Sequence, residues 1–402
     1  MLFPFASEYY NISVKRIYHF FGKFYEMLYR PSFRLPCSGR IYSYKYFLIF
    51  GHNYIGDVLT LTPAIRALKL KFPESRITVV ASKNASHVLR RNPDICRIVE
   101  TEKINGIGGV IGVFKLLGTL NGIKKKNGHK FYACINFLTS FKFAILGFLF
   151  SEKQVGQEKL LNNFFLHNRI IFARDLNNID KSLKFIEPFY INADEKYFDR
   201  NYVYKVEESD IKNAENILKN SFNGYGINID AENFKFVLFS PSSTRKSKEA
   251  DPDLFSLFAD YLNKKGFYTV ITGSRNDKET SREIYDKIEN KHLNADLTGL
   301  TDIYTLGGLI KKSSLVVGVD NGTMHLSWAI KTPVIALFGS TDPAVCGPAS
   351  DNVYIIDKKT GCYHCFERDC PKDGFYKYGY PDCMGYIMLE DLITGFNYIN
   401  KL

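Results

Sequence analysis

The sequence predicts an α/β protein of two domains, each built on a parallel sheet. Three observations carry this. Short runs such as 45–50, 315–319 and 333–338 are apolar at odd and even positions alike and rich in β-branched or aromatic residues, which suits strands covered on both faces. Most are followed by a turn and then by apolar residues at helical spacing, the alternation of βαβ units. Finally, a polar stretch at 176–232, rich in Asn, Asp, Glu and Lys, separates two such blocks in a chain of 402 residues, long enough for two ordinary domains.

Composition narrows the partners. With 45% hydrophobic and 24% charged residues the chain is globular. Its formal net charge of +11 favours an anionic partner: a nucleotide, a phosphorylated sugar, a nucleic acid or an acidic membrane surface. A nucleic-acid binder would rest on charge alone, with no recognised module, so none is expected. The first residues lack a basic n-region and an apolar h-region, which points to a cytoplasmic protein. The apolar run 131–150 carries Asn136 and Lys142 and is broken at Thr139-Ser140. It therefore reads as a strand (132–137) and a helix (141–150), not a membrane span.

In chain order, residues 1–44 form an extension. Val14, Ile17, Phe21, Phe24 and Leu28 recur at three- and four-residue steps among Lys15, Arg16, Lys23 and Arg30, until Pro31 and Pro36 intervene. The pattern fits a basic helix over 13–29, lying on a membrane surface or packed on its own protein. The first domain spans 45–205. Its first strand leads through Gly51 to Gly56-Asp57, where apolar positions 58, 61, 65 and 68 begin a helix. Asp57 thus sits beyond a strand's C-terminal end, where open α/β sheets bind ligands, although an N-cap aspartate would look the same. Strands follow at 76–81 and 97–100. The spacing of Gly106, Gly108 and Gly112 departs from a dinucleotide fingerprint and reads as a loop. Helices are expected at 179–190 and 209–222, with a linker at 192–205.

The second domain spans 206–402, with strands at 234–240, 267–272, 315–319 and 333–338. After the first comes a loop of hydroxyls and cations including Ser243, Thr244 and Lys248, chemistry that suits a pyrophosphate or a solvated basic loop. Asp251-Pro252-Asp253 is read as a helix cap in preference to a metal site. Asp277 and Glu279 follow a strand and open a helix, suiting a ribose contact or plain helix-start acids. The central stretch is 315–330. Its strand ends in Asp320-Asn321-Gly322-Thr323, and a helix carrying His325 follows. A tight turn into a helix N-terminus presents unpaired amides to a phosphate. Cys362, Cys365, Cys370 and Cys383 place half of the eight cysteines within 22 residues. They are a candidate structural zinc set, or paired or free thiols, disulfides being disfavoured without export. Cysteines 37, 96, 134 and 346 are scattered.

Together these stretches resemble glycosyltransferase family 9, the heptosyltransferases of lipopolysaccharide core synthesis, over roughly residues 45–395. Gly56-Asp57-Val58-Leu59 through Pro63-Ala64-Ile65-Arg66-Ala67-Leu68 is similar to the family's first signature. Gly318 to Leu326 followed by Pro333 to Pro343 is similar to its second. The resemblance implies a GT-B fold, two Rossmann-like domains facing across a cleft, and an inverting transfer that requires no metal or other cofactor. It implies Asp57 as general base, Ser243, Thr244 and Lys248 on the donor phosphates, and Gly322 and Thr323 amides on the pyrophosphate. It places Asp320 and His325 at the sugar, and Asp277 or Glu279 at the ribose. The partners it implies are a nucleotide sugar such as ADP-heptose and a lipid-linked glycan acceptor, with the enzyme peripheral at the inner face of the cytoplasmic membrane. The chain departs from the pattern in lacking a Trp after Lys248 and in having Asn321 where Ser or Thr is common. The rival readings are a transferase using another nucleotide sugar and a non-catalytic nucleotide-sugar-binding scaffold. Possession of both Asp57 and Lys248 speaks against the scaffold.

Overall fold

The computed structural model describes residues 45–101, 106–159, 161–190, 198–229, 234–347, 350, 352–370, 376–377 and 380–401. The helix expected over 13–29 lies outside these residues. The first sheet comprises β1 (Tyr46–Phe50), β2 (Arg76–Ser82), β3 (Arg97–Thr101), β4 (Ala133–Asn136), β5 (Gln154–Gln157) and β6 (Asn168–Ile170). Its helices are α1 (Ile55–Leu59), α2 (Thr62–Lys71), α3 (Lys83–Leu89), α4 (Gly106–Asn127), α5 (Phe141–Phe150) and α6 (Asn178–Lys184). After α7 (Glu208–Phe222), the second sheet comprises β7 (Phe236–Ser240), β8 (Tyr268–Ile271), β9 (Asn294–Asp296), β10 (Leu315–Val319), β11 (Val334–Phe338) and β12 (Val353–Asp357). Its helices are α8 (Pro252–Lys264), α9 (Lys278–Lys287), α10 (Ile303–Lys312), α11 (Gly322–Ile330), α12 (Pro343–Cys346), α13 (Asp382–Gly385) and α14 (Leu389–Ile399).

Every neighbouring strand pair in both sheets is parallel. The orders are β3-β2-β1-β4-β5-β6 and β12-β11-β10-β7-β8-β9. Counted from each sheet's own first strand, the two orders are the same doubly wound pattern. No sequence repeat announces this duplication. The order reverses between β1 and β4 in one sheet and between β7 and β10 in the other. Crevices open at such points, beyond the carboxyl ends of the strands.

The strands form where they do because both faces are covered. Alternate residues of β1 enter different clusters: Phe47 and Ile49 pack with α2 and α3, whereas Leu48 and Phe50 pack with α4 and α5. Leu315, Val316, Val317 and Val319 of β10 are at most 2% exposed, and burying each such side chain contributes about 1.5–3 kcal/mol.

Two expectations are corrected. The glycine stretch at 106–112 is not a loop but the first turns of α4. Leu116, Leu120 and Ile123, at four- and three-residue steps, are buried beneath that helix, and their burial outweighs the roughly 1 kcal/mol that each helical glycine costs. The helix expected over 179–190 ends at Lys184, and Pro188 lies in a separate 3₁₀ turn, Glu187–Phe189. Strands β9 and β12 carried no clear sequence signal: β9 has three residues, and β12 leaves Ile355 exposed. Asp251 caps α8, its side chain accepting from the Asp253 amide at 2.9 Å.

Candidate active site

The second sheet's reversal point gathers the central stretch and the basic loop. A 3₁₀ turn at Lys246–Lys248 folds Lys248 back over the strand ends. Its Nζ donates to Asp320 Oδ2 at 2.6 Å and to the Asp320 carbonyl at 3.3 Å. Asp320, just past β10, is 4% exposed. Thr341 Oγ1 also donates to its Oδ2, at 2.7 Å, and His325 Nε2 stands 3.6 Å from Oδ1. Burial works to raise the carboxyl's pKa, but His325 and the Lys248 charge prevail and hold it well below the usual carboxylate range. Asp320 is therefore an anion whose charge Lys248 largely neutralises.

Asn321 organises the turn. Its Oδ1 accepts from the Met324 amide at 3.1 Å, capping α11. Its Nδ2 donates to the Ser240 carbonyl, Ser240 Oγ and the Ser242 carbonyl at 3.2, 2.9 and 2.9 Å. A Ser or Thr cap has no second nitrogen arm to make this tie. Gly322 and Thr323 supply the first two helical amides, which have no partner within the helix and carry the positive end of its dipole. Ser243 Oγ accepts from the Arg245 amide at 3.3 Å, and Thr244 is exposed. Ser242 Oγ, beside them, is buried with no hydrogen-bond partner among the described residues.

Asp57 stands at the other reversal point. It is exposed in the first turn of α1, beyond β1. It lines a cavity of about 250 Å³ with His52, Phe137, Gln157, Phe172 and Lys181 among the other walls. Burial pushes the His52 imidazole below its ordinary pKa, against the opposing pull of Asp57, and so favours the neutral ring. Lys181 Nζ donates to the Arg174 carbonyl at 2.9 Å and to Asn178 Oδ1 at 3.2 Å.

The two points face each other through α1 and α11. A Cβ on Gly56 would lie 2.6 Å from His325 Cδ2, and one on Gly322 would lie 3.1 Å from Ile55 Cβ. Glycine at both places lets the backbones approach. Tyr202 braces the contact, its hydroxyl 3.2 Å from His325 Nδ1. Burial first, then Asp320, Cys346 and Asp57, push the Tyr202 hydroxyl above its ordinary pKa. It therefore stays protonated and can donate to Nδ1, which leaves Nε2–H facing Asp320. With Gly56 against His325 and His325 facing Asp320, Asp57 and Asp320 border one cleft.

Other sequence candidates lie further out. The Asp277 carboxylate accepts from the Ser274 amide at 2.6 Å and from Ser274 Oγ at 2.7 Å, forming a capping box. Glu279 is exposed in the first turn of α9. Cys383 is buried, and burial first, then Cys362, Cys365 and Cys370, push its thiol up to about 12. Among the described residues no group of three or more His, Cys, Asp or Glu is gathered to hold a metal. The cysteine segment nevertheless straps the site. The Phe366 amide donates to the Ser340 carbonyl at 2.7 Å, and Ser247 Oγ donates to the Glu367 carbonyl at 2.6 Å. Sequence reasoning missed Thr341, Tyr202 and His52 as site residues, and treated Asn321 only as a departure. Thr341 lay inside a motif already noted. Tyr202 lies 123 residues from its partner His325, and no local pattern marks it.

Comparison with known proteins adds the family. The model of "Glycosyltransferase family 9 (heptosyltransferase)" matches residues 123–375, more than half of the chain. Lipopolysaccharide heptosyltransferase 3 of Escherichia coli K12 is 28% identical over 320 residues, covering 75% of this chain and 84% of that protein. A family 9 glycosyl transferase from Veillonella parvula superposes with a TM-score of 0.73 at 19% identity, over 89% of this chain and 98% of that one. The Escherichia coli ADP-heptose LPS heptosyltransferase II superposes with a TM-score of 0.69 at 19% identity, over 89% and 99%. The structural likeness shows the fold: two Rossmann-like units across a cleft, the GT-B arrangement.

Proposed function

The chain belongs to glycosyltransferase family 9, and from that premise we propose that it moves a heptose from ADP-heptose to a lipopolysaccharide core or related glycan acceptor, with inversion and without a catalytic metal. The observation that carries this reading is the opposition of Asp57 to the Lys248–Asp320 cluster across one cleft. The heptosyltransferases it resembles support the sugar, and the likeness to the Escherichia coli ADP-heptose LPS heptosyltransferase II supports the donor.

In this reading the acceptor sugar enters the cavity of the 45–205 unit, against Phe137 and Phe172. A sugar hydroxyl is a poor nucleophile, so Asp57 takes its proton as bonding to the anomeric carbon begins. Among the described residues, Asp57 is the one carboxylate in the cavity's walls. With Asp57 as the single base and Asp320 held by Lys248 and Thr341 and so not free to attack, the transfer is one displacement, hence inversion. The 206–402 unit binds the donor. Lys248, the hydroxyls of Ser243 and Thr244 and the amides of Gly322 and Thr323 stabilise the charge growing on the departing diphosphate. Together they do electrostatically what a metal does elsewhere. Asp320 and His325 orient Lys248 and border the sugar. Glu279 is the freer of the two ribose candidates, since Asp277 holds its capping box.

The cysteines are proposed as ligands of one structural zinc that would stiffen the strap over Ser247 and Ser340. Four thiolates suit tetrahedral zinc, and Cys383 lies within electrostatic reach of the other three. Metal analysis of the purified chain tests this: one zinc per chain, lost in Cys383→Ser, supports it, and a metal-free, fully stable protein refutes it. No helix among the described residues is long and apolar enough to cross a membrane. A lipid-linked acceptor would bring the enzyme to the inner face of the cytoplasmic membrane.

Calorimetric titration with a panel of ADP-, UDP- and GDP-sugars, followed by turnover on core acceptors, tests the main reading. ADP-heptose should bind and be consumed. Preference for another nucleotide overturns the donor assignment, and binding without turnover on any acceptor favours a scaffold. Mass spectrometry of the glycan from a deletion strain would name the missing sugar.

A further inference from the structure

We infer that the outer faces of α4 and α5 form the surface by which this chain lies on an anionic lipid bilayer. The inference rests on the proposed lipid-linked acceptor and adds where contact is made. α5 reads Phe-Lys-Phe-Ala-Ile-Leu-Gly-Phe-Leu-Phe, apolar almost all round, and a helix of that kind is normally buried on every side. Here only one side is covered. Leu146 and Phe150 pack inward with Leu116 and Leu120 of α4, so the two helices are neighbours on one face of the first sheet. Among the described residues their other sides carry exposed apolar groups: Phe114 is 68% exposed, Leu149 47% and Phe148 38%, with Ile111 and Phe141 also exposed. Phe141 and Phe148 both pack edge-on against Phe165, with ring centroids 5.5 and 5.6 Å away, which makes a continuous aromatic surface. Apolar surface gathered in this way marks an interaction site.

Charge says what covers it. Residues 106–174 contain ten Lys and Arg against two Glu and no Asp, so this stretch alone carries eight of the chain's eleven net positive charges. Lys125, Lys126 and Lys142 are exposed on the same two helices. Aromatic and aliphatic side chains flanked by lysines suit the boundary between headgroups and acyl chains of an anionic bilayer. A second copy of the chain would bring like charges together, and residues 1–44 are themselves basic, so both are poor occupants.

Position fits the reaction. Helices that follow parallel strands start at the sheet's carboxyl edge. Phe114 lies in the early turns of α4, and α5 begins four residues after Phe137, a wall of the cavity that Asp57 lines. A bilayer against this face would therefore border the acceptor cavity.

The test is sedimentation of the full chain with vesicles of phosphatidylcholine, with and without phosphatidylglycerol. Binding should require phosphatidylglycerol and weaken with salt. Phe114→Glu/Phe148→Glu should lose about tenfold or more of it, and Lys125→Glu and Lys126→Glu should each lose about fivefold or more. None should alter turnover on a soluble, delipidated acceptor, an assay that judges the transfer reading separately. Footprinting of the phenylalanines should show them labelled in solution and protected on vesicles. Absence of vesicle binding, wild-type binding by the double variant, or protection of the phenylalanines in lipid-free protein (by residues 1–44 or by a second copy) would each overturn the inference.

Discussion

Gly56 and His325 lie back to back across the cleft: a Cβ on Gly56 would fall 2.6 Å from the imidazole. The ring cannot yield easily, because Tyr202 stacks on one side of it and Trp328 meets it edge-on at 4.7 Å between centroids. The residue before the proposed base therefore touches the histidine that faces Asp320, and the approach of the two units is set at that contact.

Gly56→Ala should accordingly force α1 and α11 apart. Overpacking of this kind costs about 1–3 kcal/mol, and misplacing the base by an ångström lowers turnover about a hundredfold. Steady-state kinetics and thermal melts measure both effects. Unchanged turnover in Gly56→Ala would show that the contact does not set the geometry.

Asp57→Ala should fold normally, since the side chain is exposed and caps nothing, yet lose transfer by about two orders of magnitude or more. Donor affinity, measured by titration, should stay within a few-fold. Near wild-type turnover would remove Asp57 from the role of base.

Lys248→Met leaves the Asp320 carboxylate buried without its cation, which costs about 3–5 kcal/mol, and should also weaken donor binding at least tenfold. The pH dependence of the wild-type protein has a definite sign. The folded carboxylate is held below its ordinary pKa, so the unfolded chain binds the proton more readily. The pair's stabilisation is thus complete above about pH 3.9 and lost as pH falls further. Melting curves of wild type and Lys248→Met between neutral and acid pH would show it, and a pair already lost at mildly acid pH contradicts the assignment.

His52 should titrate below the ordinary histidine value of about 6.5, because burial disfavours its charged form more than Asp57 favours it. The unfolded chain then takes up the proton first, so the fold is most stable above that value and loses stability as pH falls below it. In Asp57→Asn the midpoint should move lower still, and NMR titration of the imidazole resolves the change. A midpoint at or above 6.5 would place His52 in a different environment.

Much of the fold was legible because its signals are local. A strand covered on both faces must be apolar at both parities, and β1, β10 and β11 announce themselves in that way. Asp251 announces its cap through the proline that follows it. The glycines of α4 misled because propensity is a weak local preference and the burial of Leu116 and Leu120 is a tertiary event. Asp277 could be narrowed to two roles by sequence, but only the position of the Ser274 amide selects the cap.

By itself the sequence determined the alternation of strands and helices, the residues that end β1, β7 and β10, and with them Asp57, Lys248, Asp320 and Gly322 as candidates. Only the tertiary structure decided that these ends face one another. Strand order places them: pairing β1 with β4 and β7 with β10 opens two crevices, and the missing Cβ atoms of Gly56 and Gly322 let those crevices meet. The stretch at Asp320–Thr323 holds a helix N-terminus, a carboxylate and no base. Asp57, distant in the chain, becomes its counterpart because backbone hydrogen bonding and burial set strand order over the whole sheet, and no short window of residues contains that information.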